Sequence, residues 1–396
     1  MIKHASIIPL IGGETIGQEL SFGSRPEWLA SYAPFQSNDS HLVNYYGDVP
    51  YHALDEGATP SSRVDVINTV CPCAGLSTLS HGYSEDNHNN RWMVETAKYV
   101  LGELRPAVFW GENAPNFAGK VGDKVRNEIR QVGRDNGYTM SVYRTKTLLH
   151  GGPQVRNRSF YFFWRSSKTP LLGYYSRPHA KIEDVILNAR GNTQREVINR
   201  NTPTSDPFYR FVLEEIHGGI GHRQFFDLMD SLPVRENDVQ SYIEKSGYTY
   251  EQVSKWMIEN EFANLAEKCM YKHNKLAAGG SIMRRGTIIP KNYIGAFVGH
   301  YPSMLTHPHE DRYINYREAM TIMGLPDNFE LLNPSKNVNH VCQNVPVQTA
   351  RDMADQIALY LEGELEELDT DYVSQSNLSQ THDADTRSST LDLFIN

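Results

Sequence analysis

A thiol and a carboxylic acid stand at the ends of two predicted strands. Val64-Asp65-Val66-Ile67-Asn68-Thr69-Val70 alternates and is rich in β-branched residues, so it predicts a strand; Cys71-Pro72-Cys73-Ala74-Gly75-Leu76-Ser77 follows. A Pro-Cys step straight after a strand stops the ladder and turns a thiol outward, at the edge where open α/β sheets bind ligands. Farther on, Pro106-Ala107-Val108-Phe109-Trp110 is a second apolar run, ending in Gly111-Glu112-Asn113-Ala114. Together the two ends offer a nucleophile and a proton donor for covalent catalysis. Cys71-x-Cys73 has no second pair and no matching His spacing, so no metal site is expected.

The elements that must position this pair alternate in βα fashion. Ala5 to Gly13 reads as a strand running into a glycine turn, with a helix over 14–20; paired glycines there suit close approach of a nucleotide-like ligand. The polar run 81–90 reads as a mobile loop beside the thiol. Helices are expected over 91–104 and 121–133, and strands over 138–143 and 159–164. From about Ala180 the texture turns polar and helix-biased, with helices over 250–260 and 261–275. The βα character returns near Ile294, followed by helices over 315–324 and 347–362. The expected organisation is a first catalytic segment at 1–179, an inserted domain at 180–293, a return segment at 294–361, and an acidic, disordered tail at 362–396.

With 396 residues the chain can bury a full core and hold two domains. No stretch approaches the roughly 20 apolar residues of a membrane span, and no signal-peptide pattern is present. The four cysteines (Cys71, Cys73, Cys269, Cys342) are too scattered for a disulfide framework, which points to a reducing cytoplasm. A net charge of -9 argues against a nucleic-acid partner until it is located: residues 362–396 carry -8 of it. The stretch 141–170 holds Arg144, Lys146, Arg156, Arg158, Arg165 and Lys168 with no acid, and reads either as a solvated basic surface or as a phosphate-binding face.

Taken in order, Pro72-Cys73, Glu112-Asn113-Ala114, Gln154-Val155-Arg156-Asn157-Arg158, an inserted domain, Arg317-Glu318 and a closing helix resemble the DNA (cytosine-5) methyltransferases, prokaryotic or phage type. The resemblance covers roughly residues 5–165 and 294–360, and includes His307-Pro308, Arg312 and Gly324-Leu325-Pro326 in the return segment. It implies a Rossmann-like α/β fold dependent on S-adenosylmethionine, with an inserted, partly helical target-recognition domain. A thiolate adding at cytosine C6 makes the ring an enamine able to attack an electrophilic carbon. Cys73 matches that nucleophile and Glu112 the acid that donates to ring N3. Arg158 matches the residue that braces base and carboxylate, and Arg156 supports the same wall. Pro72, Ser77, Asn113 and Gln154 match substrate-side positions. The target base must leave the duplex, and the loop at 81–90 is its natural lid.

The cofactor side departs from the family. Ile8 stands at the usual aromatic position and Leu10-Ile11-Gly12-Gly13 at the Gly-x-Gly-Gly run. Tyr32 aligns with the ribose-binding acid, with Glu27 an alternative in a shifted register, and Asp55 as the acid of the intermediate motif. Gln343 and Asn344 stand in the Gly-Asn-Ser-Val motif. Two readings follow: drift with S-adenosylmethionine retained, or a modified donor carrying an extra group. A non-catalytic DNA-binding homologue is a further alternative, whereas RNA cytosine methyltransferases typically place their nucleophile in a different motif. Candidate DNA contacts in the insert are Arg190, Arg195, Arg200, Arg223, Arg284, Arg285 and Lys291. Arg317-Glu318 reads as a structural ion pair. In the tail, Leu391, Leu393 and Phe394 resemble a peptide that docks on the bacterial sliding clamp. The expected partners are double-stranded DNA and this clamp, with no membrane, and the protein is expected as a monomer.

Overall fold

The predicted βα alternation of the first half is realised as β1 (His4–Ile7), α1 (Gly13–Phe22), β2 (Leu29–Ser31), α2 (Gln36–Tyr46), β3 (Tyr51–Ala53), β4 (Val66–Thr69), α3 (Arg91–Tyr99), β5 (Val108–Asn113), α4 (Asp123–Asp135), β6 (Thr139–Lys146), β7 (Asn157–Trp164) and β8 (Thr169–Pro170). The computed structural model describes residues 1–60, 62–77, 82–231, 238–280, 286–299, 301–343 and 345–378. Expectations placed on Asn344, Arg284, Arg285, Leu391, Leu393 and Phe394 lie outside the described residues.

Next come α5 (Ile182–Leu187), α6 (Pro207–Phe211), α7 (His222–Ser231), α8 (Val239–Lys245), α9 (Tyr250–Glu259), α10 (Ala263–Ala277) and α11 (Tyr316–Ile322). The chain finishes with α12 (Pro334–Val341), α13 (Val347–Leu361), β9 (Glu367–Leu368) and β10 (Tyr372–Ser376). It divides into two units, residues 1–179 with the described part of 322–396, and residues 180–321.

In the first unit, eight strands form one sheet in the order β10-β6-β7-β5-β4-β1-β2-β3. All neighbours are parallel except β7, which runs antiparallel to β5 and β6. Alternate residues of β5 and β7 are buried on opposite faces. Val108, Trp110, Phe160, Phe162 and Trp164 pack with Met353 and Ile357 of α13. Phe109, Tyr161 and Phe163 pack with Met93, Ala97, Val125 and Ile129 of α3 and α4. Both faces are covered, which is why these strands read as unbroken apolar runs rather than alternating ones. Helices α1 and α13 meet closely at Gly17, where a Cβ would lie 2.7 Å from Ala350 Cβ.

The second unit is mainly helical, with a core built from Tyr209, Phe211, Phe225, Tyr242, Trp256 and Met257. It extends to Thr321 rather than ending at 293. The reason is local pairing: Asp238 bridges Ile288, Ile288 bridges Leu305, Thr306 bridges Tyr313 and Val197 bridges Asn315. The expected Arg317-Glu318 pair is also corrected. Glu318 takes Arg312 through two hydrogen bonds of 2.9 and 2.8 Å, while Arg317 is buried and donates to Thr193 Oγ1.

The tail is ordered farther than its acidity implied. β10 adds to the sheet edge parallel to β6, from Tyr372 opposite Met140 to Ser376 opposite Arg144. Asp371 is neutralised by Arg130 at 2.9 Å and by Arg134, and the Arg130 guanidinium lies 4.5 Å from the Tyr372 ring centre. Nor is the basic stretch 141–170 one surface. Lys146 and Arg156 are buried, and Arg165 is exposed and bonds the Arg105 carbonyl.

Gln375 fastens the new edge, its amide accepting from Leu172 N–H and donating to Leu172 C=O, both at 2.9 Å. Gln375→Ala leaves two buried backbone groups unsatisfied and is expected to cost about 2–4 kcal/mol. Chemical denaturation of the variant against the parent checks it.

Candidate active site

Register brings the two strand ends together. β4 and β5 are parallel neighbours with Thr69 opposite Gly111, so the loop carrying Cys73 and the residue after Gly111, Glu112, emerge side by side. β7 returns along β5 with Phe160 opposite Glu112. Arg158, two residues away and so on the same face, forms an ion pair with the Glu112 carboxylate. Glu112 is only 2% exposed. Cys73, Pro72, Ser77 and Arg158 are each partly exposed, so the loop and the guanidinium border solvent.

Segment 82–90 is hydrogen-bonded to the thiol loop. Ser84 N–H donates to Gly75 C=O at 3.0 Å, and Asn90 Nδ2 donates to the Ser84 and Glu85 carbonyls at 3.2 Å. A Cβ at Gly75 would lie 2.3 Å from Asn90 Oδ1, so only glycine lets the two segments pack this closely.

Burial sets the resting protonation. It pushes the Cys73 thiol up, with Arg158 opposing and Glu112 reinforcing. It also pushes the Glu112 carboxyl up, opposed by Arg158 and Arg156. The cluster thus favours the protonated thiol and shifts the carboxyl toward its protonated form, beside a guanidinium that stabilises either anion as it forms. That arrangement suits nucleophilic addition coupled to proton donation.

The remaining site residues divide. Arg156 is buried and donates through Nη2 to Cys342 C=O at 2.8 Å, which ties the β7 entrance to the end of α12. Asn113 turns inward, its Oδ1 accepting from Ala114 N–H and its Nδ2 meeting Met93 Sδ at 3.4 Å. Gln154 is buried, with Nε2 3.5 Å from Met323 Sδ. Both side chains are buried beside the site.

Sequence reasoning missed Glu14. It lies in the first turn of α1, fully buried. Burial and then Glu112 push its carboxyl well above the ordinary range near 4.5, while Arg156 and Arg158 pull the other way. The only signal in the sequence was an acid directly after Gly12-Gly13, which reads as an ordinary helix-dipole residue.

On the cofactor side, the turn between β1 and α1 holds Ile8, Leu10 and Gly12 at positive φ of 54°, 50° and 90°. The Asp39 carboxylate accepts the Leu10 N–H at 2.8 Å and so secures a conformation usually left to glycine. Gly12 sits 2.3 Å (from a built Cβ) against Leu42. Gly12 caps α1 without a side-chain hydrogen bond, a setting that suits a donor's carboxylate. Ile8, Ile11 and Gly13 are buried around this turn. Tyr32 follows β2 and lies 5.0 Å from Trp92 between ring centres; burial pushes its hydroxyl up to about 12, leaving a neutral hydrogen-bonding group where an acid was expected. Gln343 Oε1 accepts from Asn38 Nδ2 at 2.6 Å. Glu27 precedes β2, at the opposite strand end, and pairs with Lys3, so the shifted register is excluded. Asp55 accepts the Ala33 N–H at 2.8 Å, just past Tyr32. The turn, the uncapped helix and the tyrosine fit a nucleoside-bearing methyl donor.

In the second unit, Arg190 and Arg200 are exposed. Arg195 is bonded to the Gly191 and Ala189 carbonyls, Arg223 pairs with Asp227 at 2.9 Å, and Lys291 donates to the Met229 carbonyl.

Comparison with known proteins places these features in a family. The model described as C-5 cytosine-specific DNA methylase matches residues 41–359. A stretch of 116 residues is 28% identical to the protein of Methanocaldococcus jannaschii designated type II methyltransferase M.MjaORF1200P; it covers 28% of this chain and 31% of that one, so the match spans about a third of the relative's length. A DNA modification methyltransferase encoded within an E. coli prophage has a similar fold, with a TM-score of 0.57 at 13% identity over 91% of this chain and 100% of the other. Entamoeba histolytica EhMeth gives 0.55 at 12% identity over 91% and 99%. No helix among the described residues is long and apolar enough to cross a membrane.

Glu14→Gln removes an acid that holds its proton more tightly when folded than when unfolded. Such a group costs stability as pH rises from about 4.5 toward its raised folded value, because the unfolded carboxyl ionises first. The stability of the variant relative to the parent is therefore expected to increase with pH over that window. Thermal unfolding of both proteins from about pH 4 to pH 8 measures it.

Proposed function

The chain belongs to the C-5 cytosine-specific DNA methylase family, and on that premise we propose that it methylates C5 of cytosine in DNA, with Cys73 as nucleophile and Glu112 as acid. The observation that carries this reading is the meeting of Cys73, Glu112 and Arg158 at adjacent strand ends, with an ion pair between the last two. S-adenosylmethionine, when bound, supplies an electrophilic methyl group. The turn at Ile8–Gly13, Tyr32 and Gln343 are the residues that would hold it.

Each side chain then has one task. The Cys73 sulfur, once its proton has left, adds to cytosine C6, and the C5–C6 double bond opens. Glu112 gives its proton to N3 and so removes the charge that would otherwise build on the ring. Arg158 holds Glu112 in place and stabilises the carboxylate left behind. After C5 has been substituted, the C5 proton leaves to solvent and its electron pair re-forms the C5–C6 double bond as the C–S bond breaks and the thiolate departs, while the N3 proton returns to Glu112. The base must leave the helix to reach a carboxyl that is 2% exposed, and segment 82–90 is the cover that closes over it. The second unit is the target-recognition domain, with Arg190 and Arg200 free to meet phosphate. All four cysteines are free thiols, which suits a reducing cytoplasm in a bacterial or phage-infected cell.

Glu14 favours a second reading of the donor: a buried carboxyl beside Glu112 would pair with a polar group carried on the transferred carbon. Mass spectrometry of DNA incubated with S-adenosylmethionine separates the two, since efficient 5-methylcytosine formation excludes the modified donor.

Cys73→Ser is expected to abolish both turnover and covalent trapping on DNA containing 5-fluorocytosine. Glu112→Gln is expected to lower kcat about 100- to 10,000-fold, as loss of a positioned acid does. A fully active Cys73→Ser protein overturns the assignment.

A further inference from the structure

The turn between β1 and α1 bends at two residues other than glycine with left-handed backbone, Ile8 at φ 54° and Leu10 at φ 50°. Ile8 is held by its neighbours in the sheet: its N–H donates to Ala30 C=O on β2 at 2.9 Å, and its C=O accepts from Val70 N–H, just past β4, at 3.2 Å. Leu10 lies beyond that ladder, and its N–H is taken by a side chain, Asp39 Oδ1 at 2.8 Å. The other carboxyl oxygen, Oδ2, accepts from the Tyr51 hydroxyl on β3 at 3.0 Å. Asp39 is fully buried on α2, and Leu42, three residues on and along the same face, fills the space beside Gly12. Helix α2 thus grips the turn at residues 10 and 12, while β3 keeps the carboxyl from rotating away.

We propose that Asp39 is a positioning residue for the methyl donor: its carboxyl does the work of the glycine that the turn lacks at position 10, holding Leu10 left-handed so that residues 8–13 keep the shape that receives the donor. An L-residue other than glycine is disfavoured in that conformation by a factor of about 5 to 30, so an unanchored Leu10 would relax and carry the turn with it. Burial pushes the Asp39 carboxyl up to about 7. Oδ1 accepts from Leu10 in either protonation state, because the Tyr51 hydroxyl can turn to accept a proton carried on Oδ2. Asp39 acts through Leu10 and is itself closed to solvent. The inference rests on the reading of the Ile8–Gly13 turn as the donor's seat.

Calorimetric titration of the full chain with S-adenosylhomocysteine reads the donor site without turnover. Asp39→Ala is expected to raise Kd about 5- to 30-fold, the factor set by one strained residue, with affinity for duplex DNA within about twofold. Glycine at position 10 adopts the turn without an anchor, so in a Leu10→Gly background the same Asp39→Ala change is expected to cost less than about threefold. A role in stability alone would cost as much in one background as in the other. Asp39→Asn keeps an acceptor for the Leu10 N–H and is expected to stay within about threefold of the parent. Leu10→Asn, which also tolerates the left-handed region, replaces Leu10→Gly should that variant fail to fold, and Tyr51→Phe loosens the same carboxyl should Asp39→Ala fail. Folded Asp39→Ala protein with the parental Kd overturns the proposal, as does an equal loss in the Leu10→Gly background. Failure of the underlying reading shows separately: Gly12→Ala, which drives a methyl group onto Leu42, then binds as the parent does, or the parent does not bind at all.

Discussion

A buried carboxylate facing a guanidinium is the interaction on which the rest of this architecture depends. Removing Arg158 and the ionised form of Glu112 from water costs several kcal/mol per ion, which is why burial pushes the acid toward its protonated form and why the pair needs close geometry. The sheet supplies it. Three adjacent strands, one of them reversed, bring an acid from β5, an arginine from β7 and a thiol from the loop after β4 to one edge. No single segment could do so, and the reversal of β7 is what brings Arg158 beside Glu112 near the start of its strand rather than at the far end.

The same cluster explains why the thiol needs help. Burial disfavours the Cys73 anion, and Glu112 in its ionised form would disfavour it further. A protonated Glu112 removes that second penalty and leaves Arg158 acting on the sulfur. Loss of the thiol's proton and retention of the acid's are thus coupled through one guanidinium. Glu14 adds to the coupling, because a second acid in the same enclosure makes ionisation of both carboxyls costlier than of either alone.

Much of this was legible in the sequence, and the failures have physical causes. The strands at β4, β5, β6 and β7 and the helices α4, α9, α10 and α13 follow from periodicity, and the strand-end placement of Cys73 and Glu112 follows from the runs that precede them. The end of the second unit was misplaced because single-residue bridges such as Ile288 to Leu305 carry no periodic pattern. The tail was read as disordered because its acids were counted without Arg130 and Arg134, which lie some 240 residues earlier and neutralise Asp371. Glu14 was invisible as a site residue, since nothing local distinguishes a buried first-turn acid from a solvated one.

The position of Glu14 itself has a structural origin one helical turn farther along α1. Gln18 donates to Asn68 Oδ1 on β4 at 2.7 Å and contacts His4 Nδ1 on β1 at 3.2 Å, while its Oε1 accepts from Trp110 Nε1 on β5 at 2.8 Å. One amide therefore joins α1 to three neighbouring strands. His4 is kept neutral by burial, which lowers it to about 4 and lets its ring nitrogen accept. A helix pinned in this way cannot rotate about its axis, and residues four apart lie on the same face. Fixing Gln18 against the sheet fixes Glu14 toward Glu112, and Gly17 permits it by letting α13 approach from the other side. A polar network of this kind costs more to bury than an apolar contact would, and its members specify one arrangement where apolar residues would tolerate several. The sheet beneath the site thus trades some stability for one fixed rotation of the helix that follows the β1–α1 turn and carries the second acid.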